Sequence, residues 1–381
     1  MKKLLYAFGG LVGLVVLAIV VIPLVYDVNT KVRPKIVEAI ESNMNAKTEI
    51  GKLGLSLWGG VYITIDSFRL LDLSGEPVFE MKDAKLAIPF STILGGNLSV
   101  SLIVDKPVLH ATKKKQGVFN LSNLMKPKAA GTENKAAEKS EGSSEGSAKN
   151  AGRISFSTEI RDAIINYKDM ATGQKATVDR LTLITKNVTV NKPFSVMLVA
   201  GLDYSKPPEI TVKGDLKVEG DIEAKITDAG FDSVSLKSKI VLDGLAVKYG
   251  ALFNKEAGVP FGFATDLTAS SSRMDMKSVE AVLNDFKVNI SGSVENFANP
   301  VLDIKIASNK LDLSAWRPVL ASAKDFEMDG NIGFDMNLKG ALEQLVYSGS
   351  LSMKGLGMKL PGIVPRATDL NGEVSIENNL V

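Results

Sequence analysis

The chain has 381 residues, 45% of them hydrophobic, and its 45 basic and 43 acidic side chains leave a formal net charge of +2. That is apolar material for one large domain or two or three ordinary ones, and the balanced charge, spread along the chain, lacks the polyelectrolyte character that nucleic-acid binding requires. Cysteine is absent, which excludes disulfides, thiol nucleophiles, Cys-ligated metals and a lipoprotein anchor, and the single histidine, His110, would have to carry any triad or imidazole metal site alone.

Residues 4–26, LLYAFGGLVGLVVLAIVVIPLVY, carry no charge. Roughly 23 residues at about 1.5 Å each make about 34 Å of helix, enough to cross a hydrocarbon core of about 30 Å. The run is longer than a secretory signal core, and Ile22, Pro23, Leu24 and Val25 stand where a small-x-small cleavage pair belongs. The pattern predicts an uncleaved signal anchor over 4–26, with Leu4, Leu11, Val15, Ile19, Ile22 and Val25 as anchor residues and residues 1–3 as a cytoplasmic tail. Lys2 and Lys3 favour that orientation, whereas Lys31, Arg33 and Lys35 weaken the charge argument. The layout decides it, a very short head before a long polar domain that is exported.

Val32, Ile36, Val37, Ile40 and Met44 then recur at helical spacing, with Thr30 as N-cap and Pro34 in the first turn. A short amphipathic helix is expected, lying on the membrane surface or plugging the end of the sheet that follows. From 52 to 124 the punctuation is that of antiparallel strands: Leu53, Leu55 and Leu57, the Gly59-Gly60 turn, then Val61, Ile63 and Ile65, with further strands at 85–90 and 98–104. His110 falls near the end of such a strand. Residues 27–125 thus form a first domain. Residues 126–152, with no large apolar side chain beyond Met125, cannot offset their ordering entropy and read as a disordered linker.

A second domain, 153–381, is almost continuous alternation. In KVEGDIEAKI (217–226), Val218, Ile222 and Ile226 share one face and Lys217, Glu219 and Asp221 the other. Phe286, Val288 and Ile290 oppose Lys287 and Asn289; Ile332, Phe334, Met336 and Leu338 oppose Asp335, Asn337 and Lys339. Asp243-Gly244, Asp329-Gly330 and Asn371-Gly372 are expected turns. Helical candidates are few and brief, at 122–125, 252–257 and 313–320, so the oily faces have no helical layer to cover them. A second sheet, closure into a barrel, or a bent sheet whose trough holds an apolar ligand would each serve. An outer-membrane barrel is set aside, because aromatics are only 6% and a spanning helix is expected. Trp58 and Trp316 are assigned to packing, and Lys113, Lys114 and Lys115 to a solvated hairpin tip. No HExxH, P-loop or CxxC occurs, so neither an enzyme nor a cofactor is expected.

The opening VRPKIVEAIESNMNA, GKLGLSLWGGVYITIDSFRLLD and AKLAIPFSTILGGNLSVSLIVDKPVLHATKKKQGVFNLSNL, with later IRDAIINYKDMATGQKATVDRLTL and ANPVLDIKIASNKLDLSAWRPVL, resembles the AsmA-like family of bacterial envelope proteins, which includes the TamB-type members. The likeness is one of pattern over nearly the whole chain. It implies an elongated, curled antiparallel β-sheet forming an open groove, related to bridge-like lipid transfer proteins, anchored in the inner membrane with its bulk in the periplasm. It further implies phospholipid transport toward the outer membrane and a part in outer-membrane assembly. Under it, Val218, Ile222, Ile226, Phe286, Val288, Ile290, Ile332, Phe334, Met336 and Leu338 line the groove. The chain stops on a strand where relatives continue, so a short member or a fragment is expected, working through self-association or a longer partner. The competing expectation is a scaffold that docks outer-membrane assembly proteins by its sheet edges.

Overall fold

The computed structural model describes residues 27–122, 124, 126, 154–206, 209–227, 230–250, 253–316, 319, 327–359 and 367–377. The predicted anchor, and all but the first residue of the predicted linker, lie outside these. Among the described residues no helix is long and apolar enough to cross a membrane. The chain divides into two units, Met1–Thr189 and Val190–Val381.

In the first unit, α1 (Val28–Lys31) and α2 (Arg33–Asn43) precede β1 (Ala46–Ile50), β2 (Leu53–Ser56), β3 (Gly60–Ile65), β4 (Phe68–Asp72), β5 (Pro77–Met81) and β6 (Asp83–Pro89). A helical turn, α3 (Phe90–Leu94), leads to β7 (Leu98–Asp105), β8 (Val108–Lys113), β9 (Ile154–Asp169) and β10 (Lys175–Val188). The short strands join end to end as four long ones. Ala46 opposes Asp72 and Leu53 opposes Ile65; Gly60 opposes Pro89 and Phe68 opposes Met81; Asp83 opposes Asp105 and Phe79 opposes Leu109. Each long strand breaks in the middle, at residues 51–52, 66–67, 82 and 106–107. In β9 and β10 the break becomes a left-handed backbone at Asp162 (φ 50) and Arg180 (φ 49), matching Lys106 (φ 50). Breaks in register across neighbouring strands bend the whole sheet along one line, since each bulge kinks its strand and adds twist.

The predicted amphipathic helix is α2, and it packs on this sheet. Ile40 and Met44 cover a small core of Ala46, Leu70, Val78 and Leu124, so the plugging alternative is the one observed. Two expectations need correction. The sheet is mixed, because β9 runs parallel to β7 over residues 154–161 and to β8 over 164–169. The long connection after β8 allows that crossover, which a hairpin cannot make. The predicted linker therefore interrupts one sheet, and the strands after it belong with those before it as far as Thr189.

The second unit is an antiparallel meander. β11 (Phe194–Lys206) pairs with β12 (Ile210–Thr227), which pairs with β13 (Gly230–Val241) and with its continuation β14 (Leu245–Tyr249); β15 (Phe253–Lys255) flanks β14. From β13 the order runs through β16 (Phe261–Ser270), β17 (Arg273–Leu283), β18 (Phe286–Glu295) and β19 (Val301–Ser308), each paired with the next. After β20 (Leu311–Asp312) and a 3-10 turn at Leu313–Trp316 come β21 (Glu327–Ala341), β22 (Val346–Lys359) and β23 (Ala367–Ile376). β19 and β20 both pair with β21, and the meander ends β21-β22-β23. Within the helix expected at 252–257 the described residues form the strand β15, and of the one expected at 313–320 Leu313–Trp316 is a 3-10 turn, with 317, 318 and 320 outside the described residues. Asp243-Gly244 does not reverse the chain: it is a break between β13 and its continuation β14, both of which pair with β12. Asp329-Gly330 lies inside β21, at a register shift beside Asn331, and Asn371-Gly372 lies inside β23. At Gly330 (φ 94) the positive dihedral serves a bulge rather than a hairpin: any Cβ there would strike the Gly355 carbonyl of β22.

Candidate functional site

Register settles which side chains of the second unit share a face, because directly opposed residues of antiparallel strands point the same way. One row runs Leu198, Val218, Ile240, Phe263, Ala281, Val288. The next but one runs Phe194, Ile222, Leu236, Leu267, Met276, Gly292, Ile304, Leu338. Between them Ile290 opposes Ile306, and Ile306 opposes Met336. Farther along β21, Phe334 opposes Leu351 and Ile332 opposes Met353. At the same end Phe286 meets Phe334 edge-on, with ring centroids 6.2 Å apart, and Trp316 at 6.1 Å.

All ten residues expected to line a groove therefore fall on one face of one sheet. Nine are half-buried, and Ile226, at the end of β12 beside Phe231, is 47% exposed. Their cross-strand companions Leu236, Ile240, Phe263, Leu267, Ile304 and Leu351 complete the face. Each stands in its own alternating run, so the signal was present in the sequence, but only the register shows which runs are neighbours.

The burial is unlike that of a sealed sandwich. Fully buried apolar residues in this unit are confined, among the described residues, to Ala200, Leu245, Leu313, Val319 and Leu356, none of them in the rows above. The rows are shielded mainly by one another. The only described helical element packed against this region is the turn at Leu313–Trp316, where Trp316 Nε1 donates to Asp285 at 3.0 Å. Trp316 thus has the packing role expected of it. Trp58 does not: it is 72% exposed.

The opposite face is charged and internally paired. Lys237 and Lys277 both approach Asp266, at 3.5 and 3.6 Å; Lys305 meets Asp335 at 3.3 Å and Lys339 meets Asp303 at 3.5 Å. Arg273 binds Asp275 at 2.6 Å and also Glu295. A recess of about 520 Å³ opens on this face among Arg273, Asp275, Lys277 and Lys305, whose charges are already neutralised by these pairs. Among the described residues no three His, Asp or Glu side chains converge as a metal site. His110, in β8, has Nε2 3.8 Å from Glu80, itself held by Arg69 at 2.8 Å.

What this arrangement offers chemically is a broad aliphatic and aromatic surface backed by a self-neutralised polar one. An aliphatic wall holds a hydrocarbon chain away from water without gripping any one atom of it. No protein-family model matches the chain, and no curated protein matches it either.

Proposed function

We propose that the chain is a membrane-anchored envelope protein whose second unit presents an open apolar groove to phospholipid acyl chains. In this reading it takes part in moving phospholipid toward the outer membrane and in outer-membrane assembly, with its bulk in the periplasm and residues 4–26 in the inner membrane. The observation that supports it is the half-buried apolar face from β11 to β22, which no described layer seals. Apolar area left in water costs about 25 cal/mol per Å², and patches of this extent are rare on soluble monomers without a partner. An acyl chain gains about 0.8 kcal/mol per methylene buried, so the face and a tail of roughly 16 carbons answer each other's need. The resemblance to AsmA-like proteins points the same way. Transport of this kind needs no catalytic residue.

The test uses the full chain in cells, with a photoreactive aromatic amino acid placed at Phe334 or, as control, at Asp335 on the charged face. Crosslinked phospholipid is expected at position 334 and none at 335. Equal yields at both, or no lipid at 334, would remove the groove. Phe334→Glu should likewise lower the phospholipid recovered with the protein, and Asp335→Asn should not.

A second reading has its own observation. Among the described residues β23 pairs with β22 alone, and Asp369, Leu370 and Gly372 are exposed. A free strand edge is a template for strand addition, so a second copy, or an outer-membrane assembly protein, would dock there. Crosslinks from β23 to protein, together with no lipid at Phe334, would favour that scaffold role.

A further inference from the structure

The first unit is polarised along its strands. Residues 53–65 and 86–104 contain no Asp, Glu, Lys or Arg, nor do residues 154–158. These stretches are brought together by pairing: Leu53 opposes Ile65, Gly60 opposes Pro89, Leu86 opposes Leu102, and Leu98 lies beside Ile154. They make up one half of the sheet, on one side of the bend line. The line itself is marked by Lys52, Asp66, Lys82, Asp105, Lys106, Arg161 and Asp162, with Arg161 3.6 Å from Asp105. Beyond it, β1, β4, β5 and β8 carry the charges. The outermost part of this half, from Gly54 to Tyr62 and from Ala87 to Leu98, is thus uncharged, while Lys85, Glu159 and Lys186 stand behind it.

That neutral end is also where large apolar side chains stand in the open. Trp58, in the turn between β2 and β3, is 72% exposed, and Leu94, closing α3, is 88% exposed. The two segments adjoin, since Phe90 N–H donates to the Gly59 carbonyl at 3.0 Å. Behind this tip Phe156 is 52% exposed. Scattered single apolar residues need no explanation, but a cluster on a charge-free end does.

The path of the N-terminal segment says what covers it. Glu41 accepts from Thr48 N–H, Arg33 donates to the Gly51 carbonyl, and Asn29 bonds both the N–H and the carbonyl of Leu53. Followed backward, the chain climbs β1 and β2 toward Trp58. At Asn29 it stands beside Leu53, roughly 17 Å of strand from the tip, and the uncharged residues 4–26 end just before Asp27. We propose that the neutral end of the first unit, with Trp58 and Leu94 leading, seats in the headgroup layer of the phospholipid bilayer that residues 4–26 enter. Tryptophan favours that layer because its ring is apolar and its indole N–H is not. Desolvating the tip, residues 54–62 and 87–98, removes no ionised side chain from water, which desolvating the opposite end would do. The seat fixes the sheet end-on to the membrane, a contact additional to the anchor and independent of whether the second unit carries lipid.

The chain has two tryptophans, and they report separately. In Trp316→Phe, Trp58 is the only indole; in Trp58→Phe, Trp316 reports on the aromatic cluster of the second unit. Full-length protein is reconstituted into vesicles of phosphatidylethanolamine and phosphatidylglycerol carrying bromine either high on the acyl chain, near the ester, or at its end. The proposal expects Trp58 emission to be blue-shifted, protected from aqueous iodide by about twofold or more relative to detergent-free protein without lipid, and quenched more strongly by the high bromine. Leu94→Asp should restore iodide access while leaving Trp316 unchanged. Trp58 equally open to iodide with and without vesicles would overturn the proposal. So would iodide protection without bromine quenching, which would assign the tip to a second copy of the chain. Quenching of Trp316 alone would support the lipid groove and still overturn the seat, so the two readings fail separately.

Discussion

Two buried charges show how single residues hold the bends and turns of these sheets. Lys255 is 1% exposed, and its Nζ donates to the carbonyls of Leu245 at 2.5 Å, Asp243 and Glu256 at 3.2 Å and Leu242 at 3.4 Å. The ammonium occupies the break between β13 and β14, where the chain exposes several carbonyls to one point. Burial lowers its pKa from the usual lysine value, against the pull of Asp243. Lys255→Met keeps the stem and removes the donors, so a loss of about 1–3 kcal/mol is expected from chemical denaturation; an unchanged midpoint would show the carbonyls satisfied without it. Asp169 is 1% exposed and accepts from the amides of Ala171 at 2.8 Å and Thr172 at 3.1 Å, with Lys113 3.2 Å away. Burial pushes its carboxyl up, but the amide bonds and Lys113 outweigh that and hold it below the ordinary aspartate range. A carboxylate whose pKa is lower folded than unfolded stabilises the fold above the unfolded value, about 3.9, and that stability is lost as pH falls through the folded value. Asp169→Asn should melt below wild type at neutral pH, and the gap should close in strong acid. A gap that is constant with pH would mean that the charge plays no part.

At the scale of elements, the helices do more than cover a core. The outer edge of β1 and β2 would offer unpaired N–H and C=O groups to any passing strand, and the side chains of Asn29, Arg33 and Glu41 occupy them. Removing Asn29 and Glu41 together, as Ala, leaves the amides of Leu53 and Thr48 without these acceptors, both of them on buried residues. The double variant is expected to melt lower and to self-associate in analytical ultracentrifugation, and a monomer of wild-type stability would show that the edge needs no guard. This capping was not legible in the sequence, where Thr30 and Pro34 announced a helix but nothing announced what its polar side chains would bond; Thr30 lies inside the short α1, which Asp27 caps, and α2 follows Val32 with no side-chain cap. The strands themselves were legible, since period-two alternation runs through most of them from β11 to β22, broken at bulges such as that between Met276 and Val279 of β17. Their bends were not. Lys106, Asp162 and Arg180 adopt left-handed backbones that glycine usually takes, and nothing in their identity predicts it. The parallel placement of β9 was hidden for a different reason: alternation fixes which face a residue joins but not which neighbour its strand chooses. Trp58 was misjudged because an apolar residue beside a Gly-Gly turn reads equally as packing and as display.

For the second unit as a whole, what matters is that its apolar rows extend across many successive strands, with Ser238 and Thr265, hydrogen-bonded to each other at 2.8 Å, as a polar step in the middle row. A tail of 16 carbons, about 20 Å long, spans roughly four strands at about 4.8 Å spacing, so no single strand can make the site and no single residue should be indispensable. The middle of the face is different from its ends. Ile290 lies in β18 between Val279 of β17 and Ile306 of β19, so a charge there faces every chain that crosses the centre. Phe334, farther along the sheet in β21, meets only chains that reach its aromatic cluster. If lipid lies across the strands, Ile290→Asp should lower the phospholipid bound per chain at least as far as Phe334→Glu does, and the two together should fall short of the sum because they exclude some of the same tails. The measurement is native mass spectrometry of the full chain released from detergent, counting phospholipids per protein. Strictly additive losses would instead divide the face into separate small sites, and full occupancy in Ile290→Asp would place the lipid somewhere other than on these rows.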